Sequence, residues 1–261
     1  MKLLLTSCLD LYSKNEAGER IAHNFGNNNG ILDNIKKLTP KQDNFVFVAS
    51  VESNHVATDV YANITFESFA LTFPFKNYIV LDGRTKDKAK EIIESADFIF
   101  LCGGHVPTQN KFFNNINLRE LIRNTNALIV GGSAGSMNCA DIVYAQPELE
   151  GETQDPNYVK YLRGLGITSI SILPHFEERI NDMLDGKRIL TEISMPDGAV
   201  RPFIAYSDGA YILDDGKTQI MYGKAFLFES GDYKQITEDG SVTNITNLVN
   251  NKFKNTKSIN K

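Results

Sequence analysis

The residues Gly131-Gly132-Ser133-Ala134-Gly135 directly follow the apolar run Ala127-Leu128-Ile129-Val130 and open a stretch able to form a helix. A serine lifted out on a tight strand-to-helix turn is a candidate nucleophile. Such a turn strains the serine's backbone and leaves its neighbours almost no room for side chains. Gly131, Gly132, Ala134 and Gly135 meet that demand. A helix behind the turn would aim its unpaired amides and its positive dipole end at the place where an oxyanion forms. The same five residues also suit a plainer role, a glycine-rich connection that packs a helix onto a sheet, with Ser133 as a helix cap.

A serine hydroxyl attacks well only when a base takes its proton, most often a histidine. The chain has four histidines. His23 lies in an Asn- and Gly-rich stretch, and His55 follows a strand end. His105 follows Gly103-Gly104, and His175 sits in Leu173-Pro174-His175-Phe176. His105 and His175 both fall at the carboxyl ends of expected strands, where active groups of an open parallel sheet collect. Of these two, His175 follows the nucleophile turn and is the expected base, and His105 is assigned to the substrate pocket. Either histidine is also explained by a structural hydrogen bond. The base needs a third group to hold its tautomer. Asp208, in Tyr206-Ser207-Asp208-Gly209-Ala210, follows another apolar strand, although Asp-Gly also forms turns with no catalytic purpose. Glu177, Glu178 and Asp182 lie close behind His175 in the chain, and Glu178 is the alternative third residue. The turn Cys102-Gly103-Gly104-His105 ends the preceding strand, so the amides of Gly104, Gly103 and Ala134 are the expected oxyanion donors. Close packing also accounts for the glycine pair.

The elements that must position these groups are legible as short apolar runs with helical segments between them. Strands are expected at Leu3 to Ser7, Phe45 to Ser50, Tyr78 to Leu81, Phe98 to Cys102, Leu128 to Val130 and Ile170 to Leu173. That rhythm predicts a three-layer α/β fold, a mostly parallel sheet with helices on both faces. Ala89, Ile92, Ile93 and Ala96 stripe a helix over Lys86 to Ser95, and a second helix is expected over Asn110 to Asn124. After Pro202 come closely spaced strands, Phe203 to Tyr206, Tyr211 to Leu213, Gln219 to Tyr222 and Ala225 to Phe228. Asp214-Asp215-Gly216-Lys217 reads as a hairpin turn, and the whole region as an antiparallel extension. Gly151 to Asn157 reads as a polar surface loop. Residues 1–249 are expected to form one domain and residues 250–261 a loose polar tail.

At 261 residues, with 42% apolar and 23% charged residues, the chain can bury a large core without staples. A net charge of -5 argues against a nucleic-acid partner. Cys8, Cys102 and Cys139 lack metal-ligand spacing, and each lies in or near an apolar segment, so buried, reduced thiols are expected. Met1 to Cys8 resembles a lipoprotein cleavage box, but its apolar stretch falls short of the roughly 7–15 residues of an export signal. It reads instead as the first strand. No run approaches the roughly 18 apolar residues of a membrane helix. These features together predict a cytoplasmic protein.

Gly-Gly after a strand, Gly-x-Ser-Ala-Gly, Pro-His-Phe, and a strand followed by acid-Gly together resemble the dipeptidase E family of serine peptidases, which includes the cyanophycinases. The resemblance spans residues 80 to 213. It implies a flavodoxin-like, class I glutamine amidotransferase-like sheet, with Ser133 as nucleophile, His175 as base and Asp208 as orienting acid. The α/β-hydrolases share Gly-x-Ser-x-Gly but run serine, acid, histidine. Three departures stand out. Dipeptidase E carries glutamate where this chain has Asp208. Its strand-end turn reads Gly-Gly-Asn-Thr where this chain has Gly103-Gly104-His105-Val106-Pro107. Its preference for an amino-terminal aspartate uses an arginine downstream of the histidine, for which Arg179 and Arg188 are the candidates here. The resemblance implies a dipeptidase or small-peptide exopeptidase that works through an acyl-enzyme, with no metal or organic cofactor. An esterase or amidase acting on a small metabolite, and a non-catalytic binding protein that keeps the turn as a ligand cradle, are the rival expectations. Short peptides or small amides are the expected partners, with no membrane, and a homodimer stays open.

Overall fold

The computed structural model describes residues 2–254. Its two main sheets are built from β1 (Lys2–Thr6), β2 (Asn44–Val48), β3 (Asn77–Leu81), β4 (Phe98–Leu101), β5 (Leu128–Gly132), β6 (Ile172–Leu173), β7 (Phe203–Tyr206), β8 (Tyr211–Asp214), β9 (Gln219–Tyr222), β10 (Ala225–Glu229), β11 (Asp232–Thr237) and β12 (Val242–Asn244). The helices are α1 (Ile31–Leu38), α2 (His55–Thr72), α3 (Ala89–Ser95), α4 (Val106–Asn115), α5 (Leu118–Ile122), α6 (Ala134–Met137), α7 (Phe176–Asn181), α8 (Met195–Val200) and α9 (Thr246–Lys252).

The large sheet has the strand order β12-β9-β8-β1-β5-β4-β2-β3. From β1 through β3 the neighbours run parallel, and β8, β9 and β12 add an antiparallel edge. This is the mostly parallel α/β sheet with an antiparallel extension that the apolar rhythm predicts. Side chains alternate between the faces of a strand. Phe45, Phe47, Phe98 and Phe100 therefore share one face with α1 and α2, while Val46, Val48, Ile99 and Leu101 face α3, α4, α5 and α6. The first face is an aromatic cluster, in which the ring of Phe45 lies 4.8 Å from Phe69 and 4.7 Å from Phe98.

Three expectations need correction. Ile170 to Leu173 does not join the central sheet. Only Ile172–Leu173 is extended, and it pairs in a second sheet, β6-β7-β10-β11, which also takes Phe203–Tyr206 and Ala225–Glu229 out of the expected extension. Pro174 ends the strand at once, because proline cannot donate to a ladder. The helix expected over Asn110 to Asn124 is two helices, broken where Asn117 adopts φ 53. Asparagine tolerates that left-handed conformation better than most side chains. The first of the two starts early, at Val106, with Pro107 in its first turn, where a missing amide costs nothing. Finally, Cys8 is exposed, whereas Cys102 and Cys139 are buried. Cys8 lies just beyond the carboxyl end of β1, past the part of the strand that the sheet covers.

The Asp214 to Lys217 turn joins β8 to β9, with Gly216 at φ 84. Asn250 lies inside α9, and Phe253 is buried against the core. The remainder of the expected loose tail, residues 255–261, lies outside the described residues. Among the described residues no helix is long and apolar enough to cross a membrane.

Candidate active site

Ser133 follows β5 immediately and caps α6 with φ 49 and ψ -116. A non-glycine residue there stores about 1–3 kcal/mol of strain, which the surroundings must hold in place. Its amide donates to the Thr6 carbonyl at 3.1 Å, tying the turn to the end of β1. Gly135 explains the tightness of the box. A Cβ there would sit 2.1 Å from the Leu101 carbonyl oxygen, so α6 lies directly on the backbone of β4.

The turn after β4 reaches the same place. A Cβ on Gly103 would stand 3.3 Å from Cβ of Ser133. Gly104 adopts φ 150, and a Cβ there would lie 2.0 Å from Oγ of Ser50. Among the described residues, the amides of Gly103, Gly104 and Ala134 donate no backbone or side-chain hydrogen bond. Unpaired amide donors near a serine are the kind of group that can stabilise negative charge.

The histidine and the acid come from the second sheet. His175 follows Pro174 with φ 58 and caps α7, and Asp208 lies in the turn between β7 and β8. Strands β6 and β7 run parallel with Leu173 opposite Ala205, so their carboxyl ends carry His175 and Asp208 side by side. Nδ1 of His175 and Oδ1 of Asp208 are 2.7 Å apart. With Nδ1–H donating to the carboxylate, Nε2 is left to accept a proton. The hydrogen bond from His175, followed by its charge, holds the Asp208 carboxyl below the usual range against the opposing effect of burial. Glu178, the alternative third residue, lies in the same cluster. The candidate ligand atoms of His175, Glu178 and Asp208 are within 4.8 Å of one another, so these residues would hold any cation bound there.

Ser133, His175, Gly103 and Gly104 line one cavity of about 340 Å3. Among the described residues no hydrogen bond joins Ser133 to His175. A serine and a histidine oriented by a carboxylate, set beside free amides, can perform acyl transfer once that contact closes. Ala134 stands next to Ser133 and is buried, with its amide at the start of α6.

His105 is placed differently from the substrate-pocket expectation. Nδ1 meets Thr108 Oγ1 at 2.8 Å, Nε2 meets Glu152 Oε1 at 2.9 Å, and the residue is not part of the cavity wall. The polar loop thereby fastens to the glycine turn, because Glu152 also accepts from the amides of Glu148 and Leu149. Arg179 is committed to Glu148 at 3.0 Å, and Arg188 is exposed on a short ribbon; neither lines the cavity. Sequence reasoning missed Ser50, Glu152 and the segment Ser7 to Tyr12. For that segment a signal existed, since Thr6-Ser7-Cys8 closes a parallel strand at its carboxyl end. Cys8 lines the cavity, and burial of its sulfur, aided by the Asp208 charge, pushes the thiol up to about 11 although the residue as a whole is exposed.

The chain is similar in structure to a peptidase from an acI-B1 Actinobacterium, at 15% identity and TM-score 0.62, over 93% of this chain and 96% of that one. It is also similar to a provisionally named peptidase E protein from Listeria monocytogenes EGD-e, at 16% identity and TM-score 0.49, over 90% of this chain and 98% of that one. No curated protein sequence matches. The model of peptidase family S51 matches residues 18–220, so the chain belongs to that family of serine peptidases, the dipeptidase E family that its motifs resemble.

Proposed function

We propose that this peptidase is a cytoplasmic dipeptidase or small-peptide exopeptidase that works through Ser133, His175 and Asp208 by way of an acyl-enzyme. The observation that carries the proposal is the 2.7 Å bond from His175 Nδ1 to Asp208 on the rim of the cavity that Ser133 also lines. Substrate binding closes the contact from Ser133 to His175, as such contacts commonly tighten in the Michaelis complex. Oγ of Ser133 attacks the scissile carbonyl carbon while its proton passes to Nε2 of His175. The carbonyl electron pair moves onto oxygen, where the amides of Gly103, Gly104 and Ala134 stabilise it. Collapse breaks the C–N bond, and His175 returns the proton to the leaving amine. Water then attacks the acyl-enzyme, giving its proton to His175, and the C–Oγ bond breaks as Oγ regains a proton.

The modest cavity volume supports a short substrate. The free thiols of Cys102 and Cys139 support a reducing compartment. Their burial pushes both up, Cys102 to about 12, and so keeps them inert.

The test is hydrolysis of a dipeptide and blocked-peptide library by purified protein beside Ser133→Ala. Cleavage lost in a variant that still melts cooperatively supports the proposal. Full activity in that variant overturns it, and cleavage restricted to esters replaces it with an esterase.

A further inference from the structure

The cavity beside Ser133 has a chemistry of its own. Phe47 and Phe100 form its floor, Leu9 and Leu11 one wall, and Tyr61 and Ile64 the wall given by α2. Among the described residues, no Lys, Arg, Asp or Glu side chain lines it. Phe47, Phe100, Leu9 and Leu11 are buried. Arg20 stands outside, its guanidinium over the rings of Tyr12 at 5.2 Å and Tyr61 at 4.8 Å, and it donates to Tyr61 Oη at 3.0 Å. Its Nε has no hydrogen-bond partner among the described residues, and Arg20 does not line the cavity.

The strand order says which half of a substrate this cavity takes. Phe100 and Phe47 belong to β4 and β2, on one side of the strand that carries Ser133. Asp208 precedes β8, on the other side, and His175 is bonded to it. His175 lines the cavity at the end it shares with Ser133, and the leaving amine must stand there to receive its proton, so an acyl-side residue that extends away from His175 meets Phe47 and Phe100. A volume of about 340 Å3 admits one large side chain and the bond to be cut, at the small end of ligand sites.

We propose that the acyl-side residue of the substrate carries an aromatic or branched aliphatic side chain, seated on Phe47, Phe100, Tyr61 and Ile64, and that an acidic residue is rejected there. The proposal rests on the acyl-transfer role given to Ser133 and specifies its substrate class. Burying a carboxylate against these rings without a partner is costly, whereas an apolar side chain gains from leaving water.

The experiment measures kcat/KM for X-Gly dipeptides with X as Phe, Leu, Ala, Asp or Lys, and for 4-nitrophenyl esters of the same five residues, on wild type, Ser133→Ala and Tyr61→Lys. Phe and Leu are expected to exceed Asp by at least about tenfold. Tyr61→Lys, on the rim where a charge can reach water, is expected to lower the Phe-to-Asp ratio by about tenfold, with its melting curve confirming the fold. Ser133-dependent cleavage that favours Asp, or a ratio that Tyr61→Lys leaves unmoved, overturns the inference and leaves the peptidase mechanism standing. Cleavage of apolar esters alone supports the cavity assignment and overturns the peptide substrate. Cleavage of neither series overturns both.

Discussion

Nδ1 of His175 lies 2.7 Å from Oδ1 of Asp208, a contact between residues 33 positions apart in the chain. A bond of this kind fixes which nitrogen of the ring carries the proton, and leaves Nε2 able to accept one. Asp208→Asn is expected to lower kcat by about 10⁴, because an amide can leave the ring in the wrong tautomer. Asp208→Glu keeps the charge and should retain part of the rate. Steady-state kinetics on one peptide substrate decide the matter, and an unimpaired Asp208→Asn enzyme would assign the role to Glu178.

The same bond predicts a pH signature in stability. The bond from His175 holds the Asp208 carboxyl below its ordinary value, so the folded state favours the ionised form. Its contribution is complete above the unfolded value of about 3.9 and is lost as pH falls through the depressed folded value. The gap in urea midpoint between wild type and Asp208→Asn should close as pH falls from about 5 into the strongly acid range. A gap that widens over that acid range contradicts the assignment.

Gly104 predicts a paired result. With φ 150 and a Cβ position 2.0 Å from Ser50 Oγ, Gly104→Ala must move the turn that offers its amide to the site. kcat/KM should fall by about 10²–10³, the usual cost of one lost oxyanion donor, with a lower melting temperature. Adding Ser50→Gly removes the colliding atoms but leaves the backbone strain, so the double variant should regain stability only in part. Full recovery would show that the contact alone mattered.

Glu152 is a hydrogen-bonding hub for the polar loop. Removing it in Glu152→Ala takes the acceptor from His105 and from the amides of Glu148 and Leu149. Hydrogen bonds to a charged group contribute about 1.5–3 kcal/mol, so exchange of those two amides should accelerate at least about tenfold. Exchange in β5 should not change, and hydrogen-exchange mass spectrometry resolves both segments.

Local sequence carried what was local. The small residues around Ser133, the glycine pair before His105 and the apolar run of β5 each dictate their own geometry, so the turn and the mostly parallel sheet were readable. Pro174-His175 and Asp208-Gly209 marked the other two candidate residues as turn positions at strand ends. What stayed hidden depends on pairing across distance. A two-residue strand such as Ile172–Leu173 has no periodicity to reveal its sheet, and its partner Ile204–Ala205 lies far along the chain. His105 followed the right turn, but its ring is claimed by Glu152 from a loop whose composition signalled only solvent. The exposure of Cys8 and the nearness of Ser50 to Gly104 likewise arise where separate segments meet.

Ser133 follows a strand of the large sheet, His175 follows a strand of the small one, and Asp208 sits in the turn that joins the two sheets. If these residues act together as proposed, turnover depends on how the two sheets meet. Perturbations in the buried seam between them, for example at Tyr206, whose hydroxyl donates to the Leu5 carbonyl at 3.1 Å, are expected to lower activity while each sheet stays intact. Heating should thus extinguish activity before it melts the sheet that bears the nucleophile.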